Sequence, residues 1–360
     1  MSTTVVHRAA QGGISACMIV RNEEHLLARC LKSFEGAFDE LNVVDTGSTD
    51  STAAVATRFG ARVRSFTACN GADGFMRDFA LARNASLNMA SHEWILWMDA
   101  DHVLQPGGAE RLRGAVARGG FAGLRVTIEN VDNSSYLMGP MGPNRYMMEH
   151  LFKNEPRNRF HGRIHEIPHV YDPIPDPIID DREIRFLHLP DKRPGKNEPS
   201  AERNLRIGED VAREDASDGR NLYYLGESLR YLGRLDEAIV RYEQYLALGG
   251  CFRAARYLAA RKIAECHFGR WRTRECIDAS FRALRIGPGY AESYCLIADC
   301  FRETREYDLA RDFYRRALAC REPPAEAAAM CFIPEMYDEY PRHGIALCDA
   351  ASNCDTTLNT

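Results

Sequence analysis

No run of apolar residues in the 360-residue chain approaches the ~18 needed for a membrane-spanning helix. The opening stretch MSTTVVHRAAQGG also lacks the apolar core of a secretion signal. Neither half is a polybasic arm, and 46 basic against 51 acidic residues leave a net charge of −5, which gives no reason to expect nucleic acid or an anionic membrane as partner. No CxxC pair occurs, and nine of the twelve cysteines fall after residue 250 among helical alanines, so they read as small buried residues and not as a disulfide framework. These absences predict a soluble, cytoplasmic chain. Its 45% apolar and 27% charged composition describes an ordinary globular protein, long enough for about two domains.

What is present changes character midway. Ile14–Val20, Leu41–Val44, Arg62–Phe66, Trp94–Met98 and Gly123–Ile128 read as strands, several of them apolar on both faces. Between them, Glu24–Phe34, Ser51–Phe59, Asp78–Met89 and Gly108–Arg118 carry amphipathic helical spacing. Alternation of this kind predicts an α/β domain with a mainly parallel sheet, whose ligands sit in the loops at the carboxyl ends of the strands.

From Arg220 the strand signal is replaced by a repeat. Gly226, Ala264 and Ala298 share one small position, and Ala238, Cys276 and Ala310 another; Tyr242 and Tyr314 follow the register, which Ser280 and Tyr245 break. A helix-pair unit of about 34 residues with small residues at the helix crossing resembles the tetratricopeptide repeat. Seven prolines in 168–199 predict a partly extended connection. The expected division is a sheet domain over 1–195 with the proline-rich connection from about 168, helical repeats over 196–351 and a frayed tail at 352–360. Within the repeats, Ala325–Ala351 reads as a capping helix pair interrupted by Pro334 and Pro341. The second repeat carries nine Lys and Arg residues between Arg253 and Arg285 against Glu265, Glu275 and Asp278, a run that could steer an acidic acceptor or partner and is read instead as a solvated face with some internal pairing.

Three strand-end loops carry the candidate chemistry. The first is Arg21-Asn22-Glu23-Glu24, which has no glycine and so does not suit a nucleotidyltransferase loop. In the second, a buried strand ends on Asp45, Gly47 permits a tight turn, and Ser48 to Ser51 supply helix caps. Such a loop either binds a nucleobase or ribose or simply caps a helix. The third strand ends in Asp99-Ala100-Asp101-His102, where paired carboxylates can bind a hard divalent cation that neutralises a pyrophosphate.

With CMIVRNEE, NVVDTGSTDST, DFALARNASL and WILWMDADHVL in this order, residues 14–190 resemble glycosyltransferase family 2, the nucleotide-sugar transferases of GT-A fold. The resemblance implies a Mn2+ or Mg2+ ion at Asp99 and Asp101, Asp45 at the nucleobase or ribose, and Arg83 near the diphosphate. It adds Val20, Asn22, Glu23, Asp50 and Ala100 to the nucleotide-sugar cleft. His188 is implied as third metal ligand, with His165 as the alternative. Phe160-His161-Gly162-Arg163-Ile164-His165-Glu166 is similar to an acceptor-side segment of the subgroup and implies Glu166 as catalytic base, ahead of Asp132, Glu149 and Glu155. The structural alternative makes Glu166 a partner of Arg163. The Gln-x-x-Arg-Trp motif of processive synthases is absent, its nearest fragment being Phe268-Gly269-Arg270-Trp271.

The expected activity is therefore metal-dependent, inverting sugar transfer from a nucleotide diphosphate sugar to a hydroxyl or thiol of a peptide, protein or glycan. The repeats are expected to bind the acceptor or to pair two copies of the chain. The competing reading is an interaction scaffold carrying a degenerate sugar-nucleotide domain; the presence together of Asp45, Arg83, Asp99 and Asp101 speaks against it.

Overall fold

The computed structural model describes residues 10–131, 144–168, 176–189, 199–249, 252–324 and 333–358. They fall into two compact units, one of Met1–Asp132 with Met147–Pro199 and the other of Asn133–Tyr146 with Ser200–Thr360.

The first unit is a mixed, mostly parallel sheet. Its strands are β1 (Ala10–Val20), β2 (Glu40–Asp45), β3 (Arg62–Ser65), β4 (His92–Met98), β5 (His102–Leu104), β6 (Gly123–Asn130), β7 (Asn144–Lys153) and β8 (Ile178–His188). They lie in the order β3-β2-β1-β4-β7-β6-β8-β5. β1, β2, β3 and β4 are mutually parallel, and helices α1 (Leu27–Ser33), α2 (Thr52–Arg58) and α3 (Phe79–Leu87) lie between them in sequence. The continuous apolar runs have the expected cause: Leu41, Val43, Val44, Trp94, Ile95, Leu96 and Met98 are all buried. Register pairs Val20 with Asp45 and Met18 with Met98, so the loops after β1, β2 and β4 leave the sheet side by side.

Two strands escape the sequence reading. β7 pairs antiparallel with β4, and the three-residue β5 pairs antiparallel with β8, setting His102 opposite His188. The proline-rich stretch is also more than a connection. Its middle is β8, which runs parallel to β6 with Asn130 opposite His188; residues 169–175 and 190–198 of it lie outside the described residues. Helix α4 (Gly108–Arg118) completes the unit's helices.

The second unit is a tetratricopeptide-like solenoid, α5 (Ser200–Glu214), α6 (Gly219–Tyr231), α7 (Leu235–Ala247), α8 (Arg253–Gly269), α9 (Thr273–Ile286), α10 (Ala291–Glu303) and α11 (Tyr307–Ala319), followed by a 3-10 turn Pro334–Tyr337 and α12 (Glu339–Leu358). The periodic small residues mark where paired helices touch. A Cβ on Gly226 would stand 2.6 Å from the ring of Tyr242, which is fully buried. Tyr242 donates its hydroxyl to Glu227, and Tyr314, two repeats along, donates to Asp299 at 2.6 Å. Ser280 holds the equivalent place in the middle repeat, buried with no partner for its hydroxyl.

Three expectations need correction here. Pro334 and Pro341 do not interrupt helices: the first opens the 3-10 turn and the second lies in the first turn of α12, where a missing amide costs nothing. α12 is helical as far as Leu358, within the stretch expected as a tail. The basic run of the second repeat is only partly a solvated face, because Arg261 and Lys262 are buried and both pair with Glu265, at 2.9 and 3.0 Å. Residues 325–332 of the expected cap lie outside the described residues.

Candidate active site

The first two strand-end loops are laced to each other. Asn22 takes a left-handed backbone conformation (φ 54°), its amide donates to Ser48 Oγ, and its side-chain oxygen accepts from the amide of Thr49 at 2.8 Å. The Glu23 amide donates to Thr52 Oγ1, the Glu24 amide to Asp50, and the Ser51 amide returns to the Glu24 carboxylate. Asp50 also accepts from the amide and hydroxyl of Thr52. Burial would raise the pKa of Asp50, but these hydrogen bonds outweigh it and lower it. Asp50 is thus a latch between loops. Asp45 closes its own turn, one carboxylate oxygen accepting from the amides of Gly47 and Ser48 at 3.2 and 2.9 Å. Val20 is buried, and its carbonyl accepts from both the amide and the hydroxyl of Thr46.

The third loop places two carboxylates in different company. Asp101 Oδ2 lies 3.2 Å from His188 Nε2, and the Leu189 amide donates to the Asp101 carbonyl at 2.9 Å, so the end of β8 is stitched to this loop. His188 Nδ1 lies 2.7 Å from the side-chain oxygen of Asn130. Burial would lower the pKa of His188, but its contact with Asp101 wins and raises it. Asp99 instead turns to Arg83, whose Nη2 donates to it at 2.9 Å. Burial would push the Asp99 carboxyl up, yet the guanidinium holds it down at about 2. Beneath the loop, the buried Cys30 thiol donates to the Asp99 carbonyl at 3.3 Å. His102 and His150 are both buried, and burial lowers the pKa of each, that of His150 to about 3.

Arg83 sits on α3 between Asp99 and Glu166. Its Nε donates to Glu166 Oε1 at 2.5 Å, and its guanidinium lies over the Trp97 ring, 4.4 Å from the centroid. Burial alone would lower its pKa, but the two carboxylates outweigh burial and raise it. The helix begins because Asp78 accepts from the Leu81 amide as N-cap. It then grips the segment that carries Glu166: Asn84 exchanges two hydrogen bonds with the backbone of Phe160, each 2.9 Å, and the Phe79 amide donates to the Arg163 carbonyl. A reciprocal pair of backbone hydrogen bonds between His161 and Ile167 closes the loop around Glu166, with Gly162 at φ 89° making the turn.

The structure therefore brings Arg83, Asp99 and Glu166 together, and Asp101 with His188. The cation beside Glu166 is Arg83, where the sequence suggested Arg163. With a carboxylate on either flank and only 7% exposure, Arg83 stands as a buried strut between Asp99 and Glu166. Val20 offers no free carbonyl. Ala100 is buried between the two aspartates. Of the weaker base candidates, Glu155 pairs with Arg157, Glu149 lies against Gly123, and Asp132 lies outside the described residues. Asn130 is the position that sequence reading passed over; an asparagine gives no motif signal, and its role depends on which backbone or ring the fold sets beside it.

Among the described residues no three His, Cys, Asp or Glu side chains converge tightly enough to make a ready metal cage. The fit is that of a two-donor site. Asp101 and His188 would offer a divalent cation one oxygen and one nitrogen, a donor set that suits Mn2+.

Residues 15–170 match the family described as Glycosyl transferase family 2. A TPR repeat-containing protein of Synechococcus elongatus is 37% identical over 159 residues, 44% of this chain and 36% of its own length. The SPbeta prophage-derived glycosyltransferase SunS of Bacillus subtilis is 26% identical over 235 residues, 63% of this chain and 51% of its own. The chain thus spans about half or less of the curated relatives it matches. A solved structure of glucosyl-3-phosphoglycerate synthase from Mycobacterium tuberculosis with Mn2+ and UDP overlaps 32% of this chain and 44% of that chain at 27% identity, with a TM-score of 0.27. That overlap is too slight to carry over either ligand.

Proposed function

Starting from the match of residues 15–170 to Glycosyl transferase family 2, we propose that the chain transfers a sugar, with inversion, from a nucleotide diphosphate sugar to an acceptor hydroxyl or thiol. The observation that carries this reading is the pairing of Asp101 with His188 at the strand ends, next to the chain Asp99–Arg83–Glu166. Two acceptor atoms 3.2 Å apart, a carboxylate oxygen and an imidazole nitrogen, need a proton or a cation between them.

In this reading Asp101 and His188 hold Mn2+ or Mg2+, and the ion, when bound, supplies positive charge to the departing diphosphate. Asp45 keeps one oxygen for its turn and offers the other to a ribose or base. Asn22 and Glu23 shape the wall of the cleft through backbone already fixed by Ser48 and Thr52. Glu166 takes the acceptor proton, and Arg83 fixes where that carboxylate stands. Such positioning, together with charge stabilisation, is a sufficient source of rate.

The catalytic chemistry belongs to the part before about residue 195. The repeats from 196 to 351 take a peptide, protein or glycan acceptor or a second copy of the chain. Exposed Trp271 and Phe281 on the repeats support a protein contact. The nine described cysteines are all free and mostly buried, which supports a reducing, cytoplasmic setting. Among the described residues no helix is long and apolar enough to cross a membrane.

The test is a hydrolysis screen of UDP-, GDP- and dTDP-sugars with Mn2+ or Mg2+. Cation-dependent release of one nucleoside diphosphate is expected. Release from none of them, or equal release in EDTA, overturns the reading. Light scattering of the full chain decides between a monomer and a pair.

A further inference from the structure

Three residues stand in one row across adjacent strands: His102 on β5, His188 on β8 and Asn130 on β6. Asn130 is the last residue of its strand, and His188 the last of the strand beside it. Their side chains meet at 2.7 Å, histidine Nδ1 to amide oxygen. The other ring nitrogen, Nε2, faces Asp101.

A neutral imidazole has one N–H and one lone pair, and only the lone pair binds a cation. An amide oxygen against Nδ1 keeps the proton on Nδ1, which leaves Nε2 bare on the side of Asp101. With the amide turned the other way, its NH2 would face Nδ1, the proton would move to Nε2, and the ring would be a donor to Asp101 instead of a ligand beside it. The orientation of one asparagine thus decides whether the ring and the carboxylate cooperate.

We propose that Asn130 is a positioning residue for the metal site, fixing His188 in the Nδ1–H tautomer so that Nε2 and Asp101 Oδ2 bind one divalent cation. The proposal rests on the reading of Asp101 and His188 as metal ligands. It goes beyond that reading by assigning a role to a residue that touches neither metal nor nucleotide. Backbone contacts reinforce the arrangement. Leu189 donates to the Asp101 carbonyl and Val131 donates to the His188 carbonyl at 3.3 Å, so ring, amide and carboxylate ride on a common frame.

Two measurements on the full chain test it. The first is a long-range 1H–15N correlation spectrum of the protein with saturating Mg2+ at about pH 8, with the His188 signals assigned by their loss in His188→Gln. The Nδ1–H pattern is expected in the wild type and in Asn130→Asp, whose carboxylate also accepts from Nδ1, and loss of that pattern is expected in Asn130→Leu. An Nε2–H wild type overturns the proposal. The second is calorimetric titration with Mn2+ alone. Asn130→Leu is expected to weaken binding about 10- to 100-fold, the usual effect of removing the group that orients a ligating histidine, with Asn130→Asp restoring it. Equal affinity in all three overturns the proposal and leaves the metal reading standing. A wild type that takes up no Mn2+ overturns both, whatever its tautomer.

Discussion

Arg83 Nε and Glu166 Oε1 lie 2.5 Å apart, so the carboxylate assigned as base rests on a buried guanidinium. The ion pair fixes the carboxylate oxygen in space, and in displacement chemistry position is worth several powers of ten. Glu166→Gln keeps the shape and a hydrogen-bonding oxygen while removing the base. Nucleotide binding should stay nearly intact, and turnover should fall by about 10²-fold or more. Wild-type turnover in steady-state assays would make Glu166 only a partner of Arg83.

The metal reading predicts a different signature for Asp101→Ala. UDP or GDP binding measured by calorimetry should be strong with Mn2+ and weak in EDTA for the wild type, and weak in both for the variant. Equal wild-type affinity in the two conditions would remove the cation from the mechanism.

Asp299 predicts a pH dependence in the repeats. It is 1% exposed, and although Tyr314 and Tyr340 donate to it, burial dominates and pushes its carboxyl up to about 6. The folded chain therefore holds this proton more tightly than the unfolded chain, whose carboxyl titrates near the ordinary 3.8. The stability this proton contributes is fully present below about pH 4 and is lost as pH rises through about 6, a loss on the order of 2–3 kcal/mol. Asp299→Asn should accordingly melt higher than wild type at about pH 8, with the gap shrinking toward about pH 4. A gap that does not change with pH would refute the assignment.

Gly226→Ala tests the helix crossing. With the added methyl 2.6 Å from the Tyr242 ring, either the ring or the helix must shift, and the substitution should cost about 1–3 kcal/mol although alanine is the better helix former. Denaturant melts followed by tyrosine fluorescence read the loss directly. Stability equal to or above wild type would mean that the crossing is looser than this packing implies.

The strands around Val20, Val44 and Met98 were legible because strands buried on both faces leave uninterrupted apolar runs. β7 was not: Asn144–Lys153 mixes Arg145, Glu149, His150 and Lys153 into its sequence, and only its neighbours β4 and β6 make it a strand. The burial of Arg261 and Lys262 was hidden for a related reason. Charge in sequence suggests water, but Glu265 one helical turn on meets both cations in the interior. At the site, the Asp-x-Asp spacing marked Asp99 and Asp101 as candidates. It did not show that Asp99 and Asp101 face different partners, since that is settled by where α3 and β8 arrive.

The lacing of the first two loops bears on how mutations there should be interpreted. Asp50, Ser48 and Thr49 belong to a lattice of short hydrogen bonds that holds Asn22, Glu23 and Glu24 in place before any ligand arrives. An alanine scan across this segment would score each of them as a nucleotide contact, because affinity would drop. What it would be recording is a fall in the population of the binding-ready loop, and the drop should shrink as temperature is lowered and the loosened lattice refreezes.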